Sequence, residues 1–165
     1  MMENQMNIIE TAIQLRKAGK FQDSNDLLLK IYPTDPENAY LNYQIAWSFD
    51  VLGKESQAVP YYERAIQLGL TEPDLEEAYL GLGSTYRALG NYQKAEQVLS
   101  EAQDKFPTNN ALKVFYAMAL FNLQQYSQSN QILLELLAQT SSDQNIRDYH
   151  KAIAFYADKM NQTWE

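Results

Sequence analysis

The residues that could perform acid–base chemistry in this chain are one histidine and two pairs of carboxylates. His150 is the only histidine, and no cysteine is present to assist it as a nucleophile or a metal ligand. The carboxylate pairs are Glu76 with Glu77 and Asp143 with Asp148. Both pairs fall where helices are expected to start, and acidic side chains there favour the helix dipole. We therefore expect no enzyme activity, no cofactor and no metal site.

Composition narrows the class of protein further. The chain has 165 residues, of which 45% are apolar and 21% are charged, and its net charge is −8. This charge disfavours nucleic acid as a partner, because phosphate binding depends on clustered Lys and Arg. No run approaches the roughly 18 apolar residues of a membrane span, and the acidic start "MMENQMNIIE" does not resemble a secretory signal. A soluble, cytoplasmic protein without disulfides is the expectation.

An internal repeat organises the whole chain. Glycines at predicted turns, Gly19, Gly53 and Gly90, lie 34 and 37 residues apart, and a further 34 residues lead to Gln124. Two columns of small residues keep the same register: Ala12, Ala46, Gly83 and Ala117, and then Ser24, Ala58, Ala95 and Ser129. Within each repeat the apolar residues recur at helical spacing, and Gly and Pro interrupt the pattern twice. Each repeat is therefore predicted to form two helices.

Two glycines lie inside a predicted helix, in the stretch "GLGSTYRALG". Each costs roughly 1 kcal/mol there relative to Ala. Gly83 occupies the small-residue column, where it is predicted to face Ala95 and to let two helix backbones approach closely. Gly81 lies on a different face of the same helix, and our interpretation is close contact with another neighbour.

Residues 76–109 resemble a tetratricopeptide (TPR) repeat, with the signature places held by Tyr79, Leu82, Gly83, Tyr86, Gly90, Tyr92, Ala95, Ala102 and Pro107. Residues 39–75 match well, whereas residues 5–38 and 110–143 are degenerate, as terminal repeats commonly are. The resemblance covers essentially the whole chain. It implies an all-α, right-handed TPR solenoid of four helix-turn-helix repeats, forming a single domain over residues 1–165.

A fifth amphipathic segment follows the repeats. Residues 144–160 are predicted to form one helix with an apolar stripe at steps of three and four: Ile146, Tyr149, Ile153, Tyr156 and Met160. The favoured role is a cap over the last repeat, since solenoids must be closed. The alternative is a helix that docks onto a partner or onto a second copy of the chain.

The TPR resemblance also implies where a ligand binds, because in that family the first helix of each repeat lines a groove. The candidate groove residues are Arg16, Tyr40, Tyr43, Trp47, Asp50, Leu80, Ser84, Arg87, Met118, Phe121 and Asn122. The family's carboxylate clamp is absent, since its places hold Ile9, Ile13, Gln44, Glu77 and Gly81. A mostly apolar groove favours an apolar peptide or helix as the ligand.

Two features of the groove leave alternatives open. Tyr40, Tyr43 and Trp47 form an aromatic stripe, in which Trp47 is the preferred ligand contact; the alternative is that the stripe packs as additional core. Arg16 and Arg87 share a column with Asp50, so mutual neutralisation is their favoured role. The alternative is that the two arginines bind a carboxylate of the ligand.

The sequence therefore predicts a non-enzymatic protein–protein interaction module, acting as a scaffold. The structural alternative is self-association as a homodimer, through the groove or the C-terminal helix. It leaves open whether the chain's own ends, including Trp164, fill the groove.

Overall fold

The structure is a computed structural model that describes the backbone of residues 2–165 and the side chains from Met6 onward. Every regular element that it assigns in these residues is a helix. In chain order they are α1 (Met2–Lys17), α2 (Phe21–Ile31), a 3₁₀ turn (Tyr32–Thr34), α3 (Ala39–Asp50), α4 (Glu55–Gln67), α5 (Asp74–Ala88), α6 (Tyr92–Lys105), α7 (Asn110–Asn122), α8 (Tyr126–Thr140), α9 (Gln144–Asp148) and α10 (His150–Tyr156). The all-α prediction is confirmed, with two α-helices in each of the four predicted repeats.

The helices form two compact units, Met1–Asn91 and Tyr92–Glu165. In the first unit, α1 packs on α2, α2 on α3, α3 on α4, and α4 on α5. In the second, α6 packs on α7, α7 on α8, and α8 on α10. The boundary lies in the turn between α5 and α6, and the expectation of a single domain over residues 1–165 stays a prediction.

The turn inside each predicted repeat contains one residue in the left-handed region of backbone conformation. Gly19, Gly53 and Gly90 have φ values of 77°, 66° and 76°. Gln124 takes the same conformation, with φ at 64°, although it carries a side chain. A degenerate fourth repeat therefore keeps the turn geometry of the others, which confirms the alignment that places Gln124 in the glycine column.

The repeated small residues lie in the core. Ala12, Ala46, Ala58 and Ala117 have no exposed surface, and Gly83 is buried. The predicted pairing of Gly83 with Ala95 stays a prediction. Buried small residues of this kind leave room for neighbouring helices to approach closely.

Three of the four paired carboxylates lie at helix starts. Glu76 and Glu77 lie in the first turn of α5, and the Asp143 side chain caps α9 by accepting from the amide of Asn145 at 2.8 Å. Asp148 is the exception, because it lies at the end of α9 and accepts from the Gln144 side chain at 2.7 Å. The expectation that it marks a helix start was wrong.

The predicted continuous helix over residues 144–160 is also wrong. Tyr149, with φ −106° and ψ 8°, separates α9 from α10, and α10 ends at Tyr156. A helical stripe keeps one face only while the helix continues, so the break redirects the side chains on either side of it. Tyr149 is 67% exposed and Met160 is 59% exposed. Helix α10 nevertheless packs on α8, as a capping segment would.

Gly81 lies against the ring of Tyr62. A Cβ atom on Gly81 would come within 2.6 Å of Cζ and Oη of Tyr62, far inside van der Waals contact. Tyr62 is buried, and its hydroxyl donates to Asp50 at 2.7 Å, so the ring is not free to move aside. The interpretation of Gly81 as a place of close contact is confirmed.

We therefore expect Gly81→Ala to lower the free energy of unfolding by about 1–3 kcal/mol, since overpacking outweighs the gain in helix propensity. Urea denaturation followed by circular dichroism would measure the change. In a Tyr62→Leu background the same substitution should cost much less, because the clashing ring is gone. A Gly81→Ala variant as stable as the native protein would contradict the contact.

Candidate functional site

The candidate site is an open cavity of about 400 Å³ in the first unit, here called the groove pocket. Side chains from α3, α4 and α5 line it. Five of the predicted groove residues are among them: Tyr43, Trp47, Asp50, Leu80 and Ser84. The structure therefore brings together residues from the second and third predicted repeats in one cavity.

The aromatic stripe divides into a buried part and an open part. Ring centroids are 6.4 Å apart between Tyr40 and Tyr43 and 5.9 Å apart between Tyr43 and Trp47. Tyr43 is only 3% exposed and also packs on Tyr62, and burial raises its pKa above the ordinary tyrosine value. Trp47 is 42% exposed. The core interpretation holds for Tyr43, whereas Trp47 offers its surface to the pocket.

Arg16 supports Trp47. Its guanidinium carbon lies 4.0 Å from the centre of a Trp47 ring, within the range of a cation–π contact. Its Nη2 donates to Oε1 of Gln44 at 2.6 Å, and its Nη1 donates to the Gln44 carbonyl at 3.4 Å. Arg16 is 6% exposed, and burial lowers its pKa. Arg16 lines a separate cavity of about 230 Å³. Trp47 lines both this cavity and the groove pocket.

The predicted neutralisation of Arg16 and Arg87 by Asp50 is wrong. The described partners of Asp50 are two hydroxyls: Tyr62 Oη donates to Oδ2 at 2.7 Å and Thr85 Oγ1 to Oδ1 at 2.9 Å. Arg16 is engaged with Gln44 and Trp47, and the buried Nε of Arg87 has no hydrogen-bond partner among the described residues. A shared column predicts a shared helix face, but the direction of each long side chain depends on its neighbours.

Asp50 is a half-buried carboxyl with incomplete hydrogen bonding. Burial raises its pKa above the ordinary aspartate value, hydrogen bonds from Tyr62 and Thr85 lower it in part, and the Glu55 carboxylate raises it. The Thr85 hydroxyl also lies 2.7 Å from the Gly81 carbonyl. One hydroxyl has one proton, so Thr85 divides its donation between Asp50 and Gly81.

The raised pKa makes stability depend on pH. Between the ordinary aspartate pKa near 4 and the raised folded value, the folded protein binds more protons at Asp50 than the unfolded chain does. The contribution of Asp50 to stability is therefore present at low pH and is lost as pH rises through this window. We expect the free energy of unfolding of Asp50→Asn, relative to the native protein, to increase over the same window.

Urea denaturation at a series of pH values would measure this difference. Asp23→Asn, at an exposed aspartate of α2, serves as the control. Parallel pH profiles for the native protein and Asp50→Asn would show that the Asp50 pKa is not raised.

The predicted groove residues of the fourth repeat lie in the second unit. Met118 is half-buried, Asn122 has a buried Oδ1 with no described partner, and Phe121 is 58% exposed. The Phe121 ring contacts that of Tyr126 at 5.0 Å, and both line a cavity of about 450 Å³ together with Met160. Met118, Phe121 and Asn122 do not line the groove pocket, so they form no part of the candidate site.

Several pocket residues were missed by reasoning from the sequence, notably Tyr62, Glu55 and Thr85. Tyr62 lies at the repeat position that holds Leu28, Leu99 and Leu133 in the other predicted repeats. A hydroxyl in a column of leucines was a usable signal, because a buried tyrosine hydroxyl needs a partner. Asp50 is that partner.

Among the described residues, the His, Asp and Glu side chains form no group of three that could hold a metal ion. His150 is exposed, and its Nδ1 lies 2.7 Å from the Arg147 carbonyl. Across the helices that the structure describes, none has the length and apolar character needed to cross a membrane.

Comparison with known proteins gives a consistent picture. A family model described as tetratrico peptide repeat matches residues 39–160. Superkiller protein 3 of Saccharomyces cerevisiae is 23% identical over 108 residues, which cover 61% of this chain and 7% of that protein. The chain therefore spans only a small part of that relative's length.

Two solved structures share the fold at low sequence identity. TPR-like repeats of a kinesin light chain from Podospora anserina align with a TM-score of 0.71 at 19% identity, covering 96% of this chain and 87% of that one. The ArsTM double mutant of MamA RS-1 aligns with a TM-score of 0.69 at 13% identity, covering 96% and 97%. At these identities the likeness establishes the helical repeat fold alone.

Proposed function

The chain belongs to the tetratricopeptide repeat family, and on that premise we propose that it binds an apolar-anchored segment of a partner protein in the groove pocket. Members of the family are in general non-enzymatic scaffolds that bind proteins, and membership therefore supports a protein as the partner. The finer proposal concerns the place and the mode of binding. It assigns the main contact to Trp47 and the surrounding wall to Leu80 and Ser84.

The observation that carries this proposal is the exposed indole of Trp47 at the wall of the cavity. Tryptophan is among the residues that most often dominate binding energy, and burial of a large aromatic surface supplies that energy. The ring is also held in place, since Arg16 covers one side of it and Tyr43 packs beside it. A held side chain loses little conformational entropy on binding, which favours affinity.

The openness of the cavity suits one or two side chains of a segment better than an enclosed small molecule. A helix would present anchors at steps of three and four, and the apolar surfaces of Trp47 and Leu80 would receive them. The localisation in the cytoplasm and the absence of nucleic acid as a partner remain part of the proposal, on the composition and charge of the chain.

Trp47→Ala is the variant that tests the proposal, with Trp164→Ala as the matched control. Both tryptophans are exposed, at 42% and 56%, but only Trp47 lines the groove pocket. The experiment is a paired pull-down from a lysate of the source cell. We expect Trp47→Ala to lose the bound proteins, because loss of a hot spot of about 2 kcal/mol weakens binding tenfold or more. Trp164→Ala should retain them. Tyr43 is left intact, because truncation of a buried ring would also destabilise the fold.

The interpretation of that experiment depends on folded protein. Circular dichroism and urea denaturation of both variants would show whether each remains native. Equal recovery by Trp47→Ala and by the native protein would refute the groove pocket as the binding site.

Self-association is a second candidate, favoured by a cluster of exposed rings in the second unit. Phe155, Tyr156 and Trp164, here called the C-terminal aromatic cluster, are 53%, 46% and 56% exposed. Ring centroids are 5.1 Å apart between Phe155 and Tyr156 and 5.2 Å apart between Tyr156 and Trp164. Trp164 therefore packs against its own C-terminal helix, and an exposed aromatic surface of this kind is typical of an interface.

This second candidate predicts a mass that rises with concentration from the 19.0 kDa of one chain toward twice that value. Light scattering over a concentration series would detect the change. A Phe155→Ser, Trp164→Ser double variant should stay monomeric, whereas Trp47→Ala should behave like the native protein. A native protein that remains monomeric at high concentration would exclude self-association.

A further inference from the structure

The walls of the groove pocket carry negative charge as well as aromatic surface. Among the described residues that line it, Asp50, Glu55 and Glu77 are carboxylates, and none is Lys, Arg or His. The three come from different helices, α3, α4 and α5. The tertiary structure, rather than the local sequence, therefore brings the three carboxylates together.

None of these three carboxylates has a described ion pair with a cation. Asp50 accepts from Tyr62 and Thr85 only, and no ion pair or side-chain hydrogen bond is described for Glu55 or Glu77. Charges also act on the buried ring of Tyr43. Burial is the main reason that the pKa of Tyr43 is raised, the carboxylates of Asp74 and Glu77 raise it further, and the Arg16 guanidinium lowers it in part.

Arg16 is a candidate for an internal counter-ion, but it is not among the described residues that line the groove pocket. Its guanidinium is held by Gln44 and by the Trp47 ring, and it lines the neighbouring smaller cavity rather than the groove pocket. The pocket thus combines an apolar wall with carboxylates that lack a cation.

A lysine or arginine side chain complements both features. Its aliphatic stem packs on apolar and aromatic surface while its charged head reaches a carboxylate. Aromatic faces also attract cations, and Trp47 and Tyr43 stand at the wall where the stem would lie. The net charge of −8 favours the approach of a basic segment over long distances.

We propose that the groove pocket receives a lysine or arginine side chain of the bound segment, with its stem against Trp47 and its charge beside Asp50, Glu55 and Glu77. This inference rests on the proposed function and adds the chemistry of the partner: a basic, amphipathic protein segment rather than a purely apolar one. Recognition then has two parts, in which the indole supplies affinity and the carboxylates select a cation.

A phage-displayed library of random peptides, selected on the native protein and counter-selected on Trp47→Ala, tests this inference without knowledge of the partner. Selection at about 0.15 M salt limits distant charge effects, because the Debye length is then about 8 Å. We expect the enriched peptides to share a Lys or Arg flanked by apolar residues.

Two substitutions then measure the charge term directly. In the strongest synthetic peptide, norleucine in place of the basic residue keeps the aliphatic stem and removes the charge. In the protein, Glu55→Gln with Glu77→Gln removes two pocket charges, and Asp23→Asn with Glu72→Gln removes two exposed charges outside the pocket. We expect the norleucine peptide and the pocket variant each to bind about three- to tenfold more weakly, and the control variant to bind like the native protein.

The outcomes separate the two proposals. Enriched peptides that depend on Trp47 but carry no basic residue, or that bind the pocket variant and the native protein equally, would overturn the charge inference and leave the proposed function standing. A library that yields no Trp47-dependent peptide would overturn both. Asp50→Asn, which keeps the shape of the side chain, gives a second test of the charge if the double variant is destabilised.

Discussion

The contact between the Tyr62 ring and the bare Cα of Gly81 is the constraint on which the groove pocket depends. Because Gly81 has no side chain, Tyr62 of α4 can lie flush against α5 and bring its hydroxyl to Asp50 of α3. One side chain thus connects three helices. A methyl group at position 81 would occupy the space that the ring uses, and the floor of the cavity would have to be rebuilt around it.

In the first unit, two buried or half-buried charged groups have neutral partners. Arg16 is held by an amide and an indole, and Asp50 is held by two hydroxyls. Neither group has an ion-pair partner among the described residues, so neither charge is offset by the other. The two groups have separate places: Arg16 supports the exposed indole, while Asp50 lines the cavity.

Much of the architecture was accessible from the sequence, as the fourth turn illustrates. Gln124 was aligned with three glycines by spacing alone, and it adopts their left-handed conformation. The spacing of apolar residues did not predict where a helix is interrupted. The stripe from Ile146 to Met160 predicted one helix, but Tyr149 interrupts it, and no local glycine or proline marks that interruption. Likewise, a column of Arg16, Asp50 and Arg87 indicated a common face. In the structure Arg16 bonds to Gln44 and Asp50 to Tyr62, and the buried Nε of Arg87 has no described partner.

By itself the sequence determined the repeat, its helices, the turn positions and the candidate surface that includes Trp47, because helical periodicity and turn chemistry are local properties of the chain. Only the tertiary structure decided that Tyr43 is core while Trp47 is open, that Tyr62 reaches Asp50, and that three carboxylates from three helices line one cavity. Exposure and side-chain direction depend on residues distant in sequence. Spacing along one helix cannot encode them, since packing against the other helices selects the rotamer and the partner.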